Sequence, residues 1–295
     1  MQGSHSDTDM WFILAIVGSL FGAFFMEVNR HFKQDGIKLN MWRTLFQSVM
    51  FMTVVFFFPW PDDPIFYLVG IIGGLQLAAT DGYVWHLAAN HNGRVASMSG
   101  PIRALVPFLA WFLIVPSSFW ALWARPVEFV LVMAGMAMVL WGGFHIRKNK
   151  VGWDTFKPLM LVGVLNGLML VARKLSVEVS DVFIQMMQLF FLHYFVAFVS
   201  LALFVGWREG RAGLTLTRNM TKAAFLIGVS VLLSAQFLNV SVALAPNAGY
   251  PPAIFLLVPI WLMLYHKLIG VKDNASPYAA AAVVVGVMLM LVAAA

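Results

Sequence analysis

The sequence contains no cysteine, and only 11% of its 295 residues are Asp, Glu, Lys or Arg. The first absence excludes disulfide bonds and thiolate metal sites. The second excludes an ordinary soluble domain, in which about a quarter of the residues are charged. In their place the chain has 61% hydrophobic residues and a mean hydropathy of +0.83. These values are typical of an integral membrane protein with a single membrane domain.

Motifs of enzymes and nucleotide-binding proteins are also missing. The sequence has no phosphate-binding glycine loop, no HExxH, no GxSxG and no pair of carboxylates at helical spacing that could hold a metal. We therefore expect no enzymatic activity, no cofactor and no metal. Without a nucleotide-binding module, any transport would draw on an ion gradient or on the gradient of the solute itself.

Charge is sparse and unevenly distributed. The net charge of +6 comes from small basic groups beside apolar segments, a pattern that favours contacts with lipid headgroups over binding of nucleic acid. Most Lys and Arg residues follow the odd-numbered apolar segments, whereas the opposite side has only Arg125, Arg173 and Lys174. The positive-inside rule then predicts that both termini lie outside.

Ten apolar segments are long enough to cross a bilayer, which requires about 20 residues. They predict an all-α, polytopic membrane protein with ten transmembrane helices. The segments span 10–32, 40–59, 64–88, 95–117, 126–146, 156–177, 181–206, 221–244, 251–269 and 276–294.

The chain repeats itself weakly. Gly18 and Gly22 in GSLFG recur as Gly163 and Gly167 in GVLNG, and the LVP that ends at Pro107 recurs as the LVP that ends at Pro259. Residues 1–150 and 151–295 would each contain five helices. Because five is odd, the second copy must cross the membrane in the opposite direction, which predicts a 5+5 inverted repeat.

These features resemble the drug/metabolite transporter superfamily, and within it the ten-helix EamA-type members. The resemblance rests on Arg43 in NMWRTLFQ, on LAAN followed by Pro107 and LAPN followed by Pro259, and on Gly135 and Gly286. It covers the whole chain loosely. The sequence departs from the family at HKLIG, residues 266–270, where an acidic residue is common, and it has no basic C-terminal tail.

The resemblance implies a central cavity lined by helices of both halves, and alternating access for small metabolites or drugs. Many relatives keep their termini in the cytoplasm, contrary to the charge pattern. We expect an integral protein of a bacterial inner membrane, present as a monomer or a homodimer. Its expected partners are a small-molecule substrate, membrane lipids and protons.

Asp81 interrupts the long apolar run LQLAATDGYVWHLAAN. A carboxylate inside a membrane-spanning segment is unfavourable in free energy. One interpretation is structural: Asp81 pairs with Arg43 or with Arg103 and fixes helix packing. The other is functional: Asp81 faces the cavity, where it binds a cationic group or exchanges a proton. The two are compatible, because a pair that opens on substrate binding links charge to a conformational change.

Other polar and aromatic side chains are candidates for substrate binding. Gln76, Tyr83 and Trp85 flank Asp81 on the same predicted helix and could offer amide, hydroxyl and aromatic contacts. Buried amides need several partners, which a polar solute could supply. This reasoning adds Gln188, Gln236 and Asn239 to the predicted site.

Pro107, Pro259, Gly22 and Gly167 are candidates for gating. Each proline removes a backbone hydrogen bond deep in a predicted helix and favours a kink. The glycines have small-xxx-small spacing, which more commonly serves close helix packing than a hinge.

Together the sequence patterns described above predict a secondary active transporter, an exporter or exchanger, for an amino acid, a zwitterion or a cationic amphiphile. The alternative is a non-transporting membrane protein that handles lipid or acts as an assembly partner.

Overall fold

The computed structural model describes residues 10–90, 99–146, 153–270 and 275–294, without the side chains of residues 26, 29, 30, 87–90, 153 and 155. Within these ranges the elements are twelve α-helices and two 3-10 turns, Val179–Asp181 and Phe255–Leu257. The α-helices are α1 (Met10–Phe32), α2 (Gly36–Phe57), α3 (Pro64–Asn90), α4 (Gly100–Ile114), α5 (Pro116–Trp123), α6 (Pro126–His145), α7 (Trp153–Leu175), α8 (Val182–Gly213), α9 (Arg218–Leu244), α10 (Tyr250–Ile254), α11 (Val258–Leu268) and α12 (Pro277–Ala294).

Seven stretches of the described residues are long and apolar enough to cross a membrane, and an eighth is reached if the bent pair α4 and α5 is one span. The all-α fold expected from composition is therefore confirmed for the described residues, with seven or eight candidate membrane spans. The count of ten spans and the 5+5 inverted repeat stay predictions.

Helix starts follow local chemistry. Prolines occupy the first position of α3, α5, α6 and α12, where the missing N–H would have no partner within the helix anyway. At the start of α2 the Asp35 carboxylate accepts hydrogen bonds from the backbone N–H groups of Ile37, at 3.0 Å, and Lys38, at 2.9 Å. This is an N-cap, and it satisfies two backbone donors that the helix cannot.

The fourth predicted segment, 95–117, is not a continuous helix. Helix α4 ends at Ile114, Val115 has φ −122° and ψ 73°, and α5 leaves at 97° to α4. The reason is Pro116, because a proline ring disfavours helical geometry in the residue before it. Residues 95–98 of this segment lie outside the described ranges.

The described chain forms two compact units, and each draws on both halves of the sequence. The first unit comprises Met1–Ala23, Ser97–Lys174 and Phe237–Ala295, and the second comprises Phe24–Ala96 and Leu175–Gln236. Helices α1 and α9 contribute residues to both units, and α7 adds only its last residue, Leu175, to the second. The predicted division into 1–150 and 151–295 concerns the repeat rather than these units, and it stays a prediction.

Glycines allow helices of the first unit to approach closely. A β-carbon on Gly22 would lie 2.8 Å from Cζ of Phe255 and 2.9 Å from Cγ2 of Val258. A β-carbon on Gly167 would lie 2.8 Å from Cβ of Val106 and 3.0 Å from Cδ of Pro107. Both glycines therefore serve helix packing, as their small-xxx-small spacing indicates.

In the second unit, α8 packs against α2 and α3. The rings of Phe51, Phe190 and Tyr194 form a parallel stack in this interface, with centroids 5.6 to 6.4 Å apart. On α3, Gly74 leaves no room for a side chain, since a β-carbon there would lie 2.6 Å from Cβ of Val196. The interface holds α2 and α3 in a fixed register, and these two helices carry the candidate site.

Candidate functional site

The centre of the candidate site is Arg43, a fully buried arginine on α2 in the second unit. Its Nη2 donates to Oδ2 of Asp81 on α3 at 2.6 Å and also to Oδ1 of Asn40. Its Nη1 donates to Oε1 of Gln47 at 3.0 Å. Of the two partners expected for Asp81, the structure thus gives Arg43.

Helical geometry explains why these groups meet. Asn40 and Gln47 stand three residues before and four residues after Arg43, so all three lie on one face of α2. Both amides then use their donors on neighbouring helices: Asn40 Nδ2 donates to the Leu77 carbonyl at 3.3 Å, and Gln47 Nε2 to the Gly228 carbonyl at 3.0 Å. The amides therefore tie the arginine to α3 and α9.

The two members of the ion pair differ in exposure. Arg43 has no accessible side-chain surface, whereas Asp81 retains 25% of its own. A guanidinium buried in this way would be very costly without its charged and amide partners. Asp81 is the member of the pair that has accessible side-chain surface.

Trp85 lies one turn beyond Asp81 and belongs to the core of the second unit. It is 3% exposed, its ring packs against Phe25 with centroids 5.5 Å apart, and the guanidinium carbon of Arg43 lies 5.4 Å from the ring centroid. This distance is within the range of a cation–π contact. Trp85 was a candidate for aromatic contact with the substrate, and in this structure its ring contacts Arg43 and Phe25.

The three predicted amides of the second unit bond groups outside the Arg43 network. Gln76 Nε2 donates to the Thr80 hydroxyl one turn along α3 at 2.9 Å, and Tyr83 is half-buried on the same helix. Gln188 Nε2 donates to the carbonyls of Phe58 and Pro59 at the end of α2, at 3.4 and 2.8 Å. Gln236 Nε2 donates to the Phe183 carbonyl at 3.0 Å. Gln76 thus bonds a hydroxyl, whereas Gln188 and Gln236 bond backbone carbonyls.

Two predicted binding residues belong to the first unit. The guanidinium carbon of Arg103 on α4 lies 5.6 Å from the ring centroid of Phe255. Asn239 on α9 is buried, and its Oδ1 accepts from Nη1 of Arg173 at 3.1 Å. Arg103 thus contacts an aromatic ring of its own unit.

The predicted gating residues also belong to the first unit. Pro107 lies inside α4, whereas Pro259 stands at the start of α11, directly after the 3-10 turn. Pro107 thus lies inside a continuous helix, whereas Pro259 lies inside the candidate span Tyr250–Leu268 at the junction of two helical segments. The 3-10 turn interrupts the second predicted helix before Pro259, so that this proline does not remove a bond from a continuous helix.

Sequence reasoning missed four polar residues that the structure places in these networks. Asn40 and Gln47 could have been found, because their spacing around Arg43 puts them on its face of α2. From the sequence, Arg173 and Lys174 were counted only in the distribution of charge between apolar segments. In the structure Arg173 is buried, and the Lys174 ammonium bonds three carbonyls of the first unit.

In the described ranges no cluster of three or more His, Asp or Glu side chains could hold a metal ion. The Arg43 network instead contains one partly exposed carboxylate, which is bound to a buried guanidinium that also bonds two amides. The chain matches no known protein-family description and no curated protein sequence. Function is therefore argued from this geometry.

Proposed function

We propose that the protein is a secondary transporter for a small organic solute with a cationic group, and that Asp81 is its charge-binding or proton-exchanging residue. The observation that carries the proposal is the unequal exposure of the pair: Asp81 is 25% accessible and Arg43 is fully buried. A pair that served packing alone would need neither member to be reachable.

The energetics favour a functional reading. A charged side chain within a spanning helix costs about 2.5 to 3.5 kcal/mol on insertion scales. Asp81 falls inside the candidate span Pro64–His86, so its retention there needs compensation. The Arg43 guanidinium supplies part of it, and a bound cation or proton would supply more during a transport cycle.

Arg43 narrows the class of solute. Its three hydrogen bonds go to Asp81, Asn40 and Gln47, and its buried Nε has no partner among the described residues. An anionic group has no accessible guanidinium to bind. The reachable charge is the Asp81 carboxylate, so an amine or quaternary ammonium fits the site better than a carboxylic acid.

A matched pair of contacts in the first unit supports the proposed inverted repeat. Gly22 packs against Val258, and Gly167 packs against Val106. Gly22 and Gly167 are equivalent in the GSLFG and GVLNG motifs, and each valine precedes the proline of an LVP motif. The first helix of each proposed half thus contacts the LVP helix of the other half, which is the reciprocity expected of a two-fold related repeat. Ten spans, the EamA-type family and alternating access belong to the same proposal.

The first experiment is a thermal-shift screen of the purified protein against amino acids, polyamines, nucleosides, sugars and quaternary amines at two pH values. A ligand that binds only the folded state raises Tm, by an amount that grows with the logarithm of its concentration relative to Kd. The screen is repeated with Asp81→Asn and with Asp62→Asn, a control at an exposed carboxylate. We expect one cationic class to stabilise the protein and the Asp62 variant, and to lose its effect in the Asp81 variant.

Transport is then measured with that solute as a tracer in proteoliposomes. We expect uptake that Asp81→Asn abolishes or uncouples from pH while the variant stays folded. Full uptake with unchanged pH dependence in Asp81→Asn would remove Asp81 from the mechanism. Absence of any stabilising solute would favour the non-transporting alternative, in which the Arg43 pair is structural and the ligand is lipid or a partner protein.

A further inference from the structure

A second charged centre, independent of the Arg43 pair, lies in the first unit around Lys174. The Nζ of Lys174, at the end of α7, donates to the carbonyls of Val242, Ala243 and Ala245 at 2.9, 2.7 and 2.7 Å. A lysine ammonium has three N–H donors. All three are used, and all three acceptors are neutral backbone oxygens.

Two of the acceptors, Val242 and Ala243, are in the last turn of α9, which ends at Leu244, and the third, Ala245, follows it directly. The last four carbonyls of a helix have no partner within it, and the aligned peptide dipoles place a partial negative charge there. A cation at this position satisfies the carbonyls and interacts favourably with the dipole. In secondary transporters, carbonyls at the C-terminal ends of half-helices coordinate a free cation in a comparable way.

An aromatic ring completes the surroundings of the ammonium. Nζ of Lys174 lies 4.8 Å from the ring centroid of Trp111 on α4. Contact with a tryptophan face adds attraction for a cation, and more so where water is excluded. Within the described residues no carboxylate forms an ion pair with Lys174, so its charge is balanced by oxygens and a ring alone.

The same segment is anchored on α4. Asn247 Nδ2 donates to the Phe108 carbonyl at 3.4 Å, and a β-carbon on Gly249 would lie 2.4 Å from Cβ of Phe108. The turn between α9 and α10 is therefore held from one side by α4 and from the other by the Lys174 ammonium. Loss of the ammonium would leave three carbonyls without donors beside a tightly packed turn.

We propose that the carbonyls of Val242, Ala243 and Ala245, together with the Trp111 ring, form a cation site selective for a primary ammonium, and that Lys174 is its tethered occupant. The chain itself thus supplies the cation at the end of α9. The inference does not rest on transport, because the site is defined by contacts within the first unit.

The test is to empty the site and refill it. Lys174→Ala removes the side chain beyond Cβ, and the missing part equals one propylammonium ion. We expect Lys174→Ala to lower Tm by several degrees and added propylammonium to restore most of this loss in a saturable manner. Wild-type protein and Lys222→Ala, which removes an exposed lysine, should show no such rise.

Two probes separate the proposed site from nonspecific stabilisation. Propanol has the same carbon chain without charge, and tetramethylammonium has charge without N–H donors. Neither should restore Tm. Equal rescue by propanol or by tetramethylammonium, or no rescue by propylammonium, would overturn the proposal.

A measurement on the wild-type protein covers the case in which Lys174→Ala does not fold. Reductive methylation modifies accessible lysine amines, and peptide mass spectrometry follows each residue. Lys174 should react at least tenfold more slowly than the exposed Lys267. Equal rates for the two lysines would mean that the ammonium is not held by the carbonyls, and the proposal would fail.

Discussion

Gly135 on α6 and Gly286 on α12 face each other so closely that a β-carbon on either one would lie 2.6 Å from the carbonyl oxygen of the other. Real β-carbons do not approach backbone oxygen to that distance, so the two helices touch through their main chains. The contact is reciprocal, and it explains why glycine stands at both positions.

Gly286→Ala should destabilise the protein by about 1 to 3 kcal/mol, because the new methyl group forces the helices apart. The matched control is Gly206→Ala on α8, where the nearest atom, Cδ1 of Leu214, would lie 3.8 Å from the new β-carbon. There alanine should stabilise the helix by about 0.5 to 1 kcal/mol. Thermal unfolding in detergent measures both. Equal effects at the two positions would contradict the packing argument.

The Arg43 and Asp81 pair should respond unequally to loss of either member. Arg43→Met leaves a carboxylate and two amide acceptors without their donor, and we expect a loss of about 3 to 5 kcal/mol. Asp81→Asn keeps a polar acceptor at a partly exposed position, and a loss of about 1 to 3 kcal/mol is expected. Denaturant or thermal unfolding of each variant gives the values. A larger loss of unfolding free energy for Asp81→Asn than for Arg43→Met would contradict the expectation that the fully buried residue contributes more to stability.

Accessibility of position 81 can be probed directly, since the chain has no native cysteine. Asp81→Cys should react with a water-soluble thiosulfonate at least tenfold faster than Thr44→Cys, whose position is fully buried. With the carboxylate removed, Arg43 should attract the reagent with a sulfonate group more than the one with a quaternary ammonium. Mass spectrometry of labelled membranes follows both rates. No reaction at position 81 would mean that its exposed surface faces lipid.

The hydrogen bonds of Gln188 at the end of α2 can be tested by substitution. Its Nε2 bonds the carbonyls of Phe58 and Pro59, and its Oε1 is buried without a partner among the described residues. Gln188→Leu should cost about 1 to 2 kcal/mol, because two carbonyls lose their donor. Gln188→Glu should cost more, because a carboxylate would then face those two oxygens. Unfolding measurements on the pair check the order, and the reverse order would remove this role of Gln188.

Hydropathy alone predicted where helices occur, since the described parts of the ten predicted segments are largely helical. It could not predict the break at Val115, because hydropathy shows how apolar a segment is and does not show where its helix bends. Pro116 was visible in the sequence and indicates a break by a separate rule. Whether each helix crosses a membrane depends on its surroundings, and length and composition do not fix these.

The candidate site was partly predictable for a similar reason. A lone carboxylate in an apolar run indicated that Asp81 has a partner, but Arg43 and Arg103 were equally suitable by sequence. Which arginine pairs with Asp81 depends on tertiary packing, because Arg43 and Asp81 are 38 residues apart in the sequence. Arg173 and Lys174 were taken for surface charges, since cations at a helix end usually are. Their acceptors lie 66 to 71 residues further along the chain, beyond any local pattern.

That separation has a consequence for biogenesis. The carbonyl of Ala245 that receives the Lys174 ammonium is made 71 residues after the lysine itself. At synthesis rates of 5 to 20 residues per second, α7 emerges roughly 4 to 14 s before its acceptors exist. During that interval the lysine must stay at the headgroup level, where its charge remains hydrated. The end of α7 can therefore reach its final contacts only after α9 has been synthesised, which makes this part of the first unit late in the order of assembly.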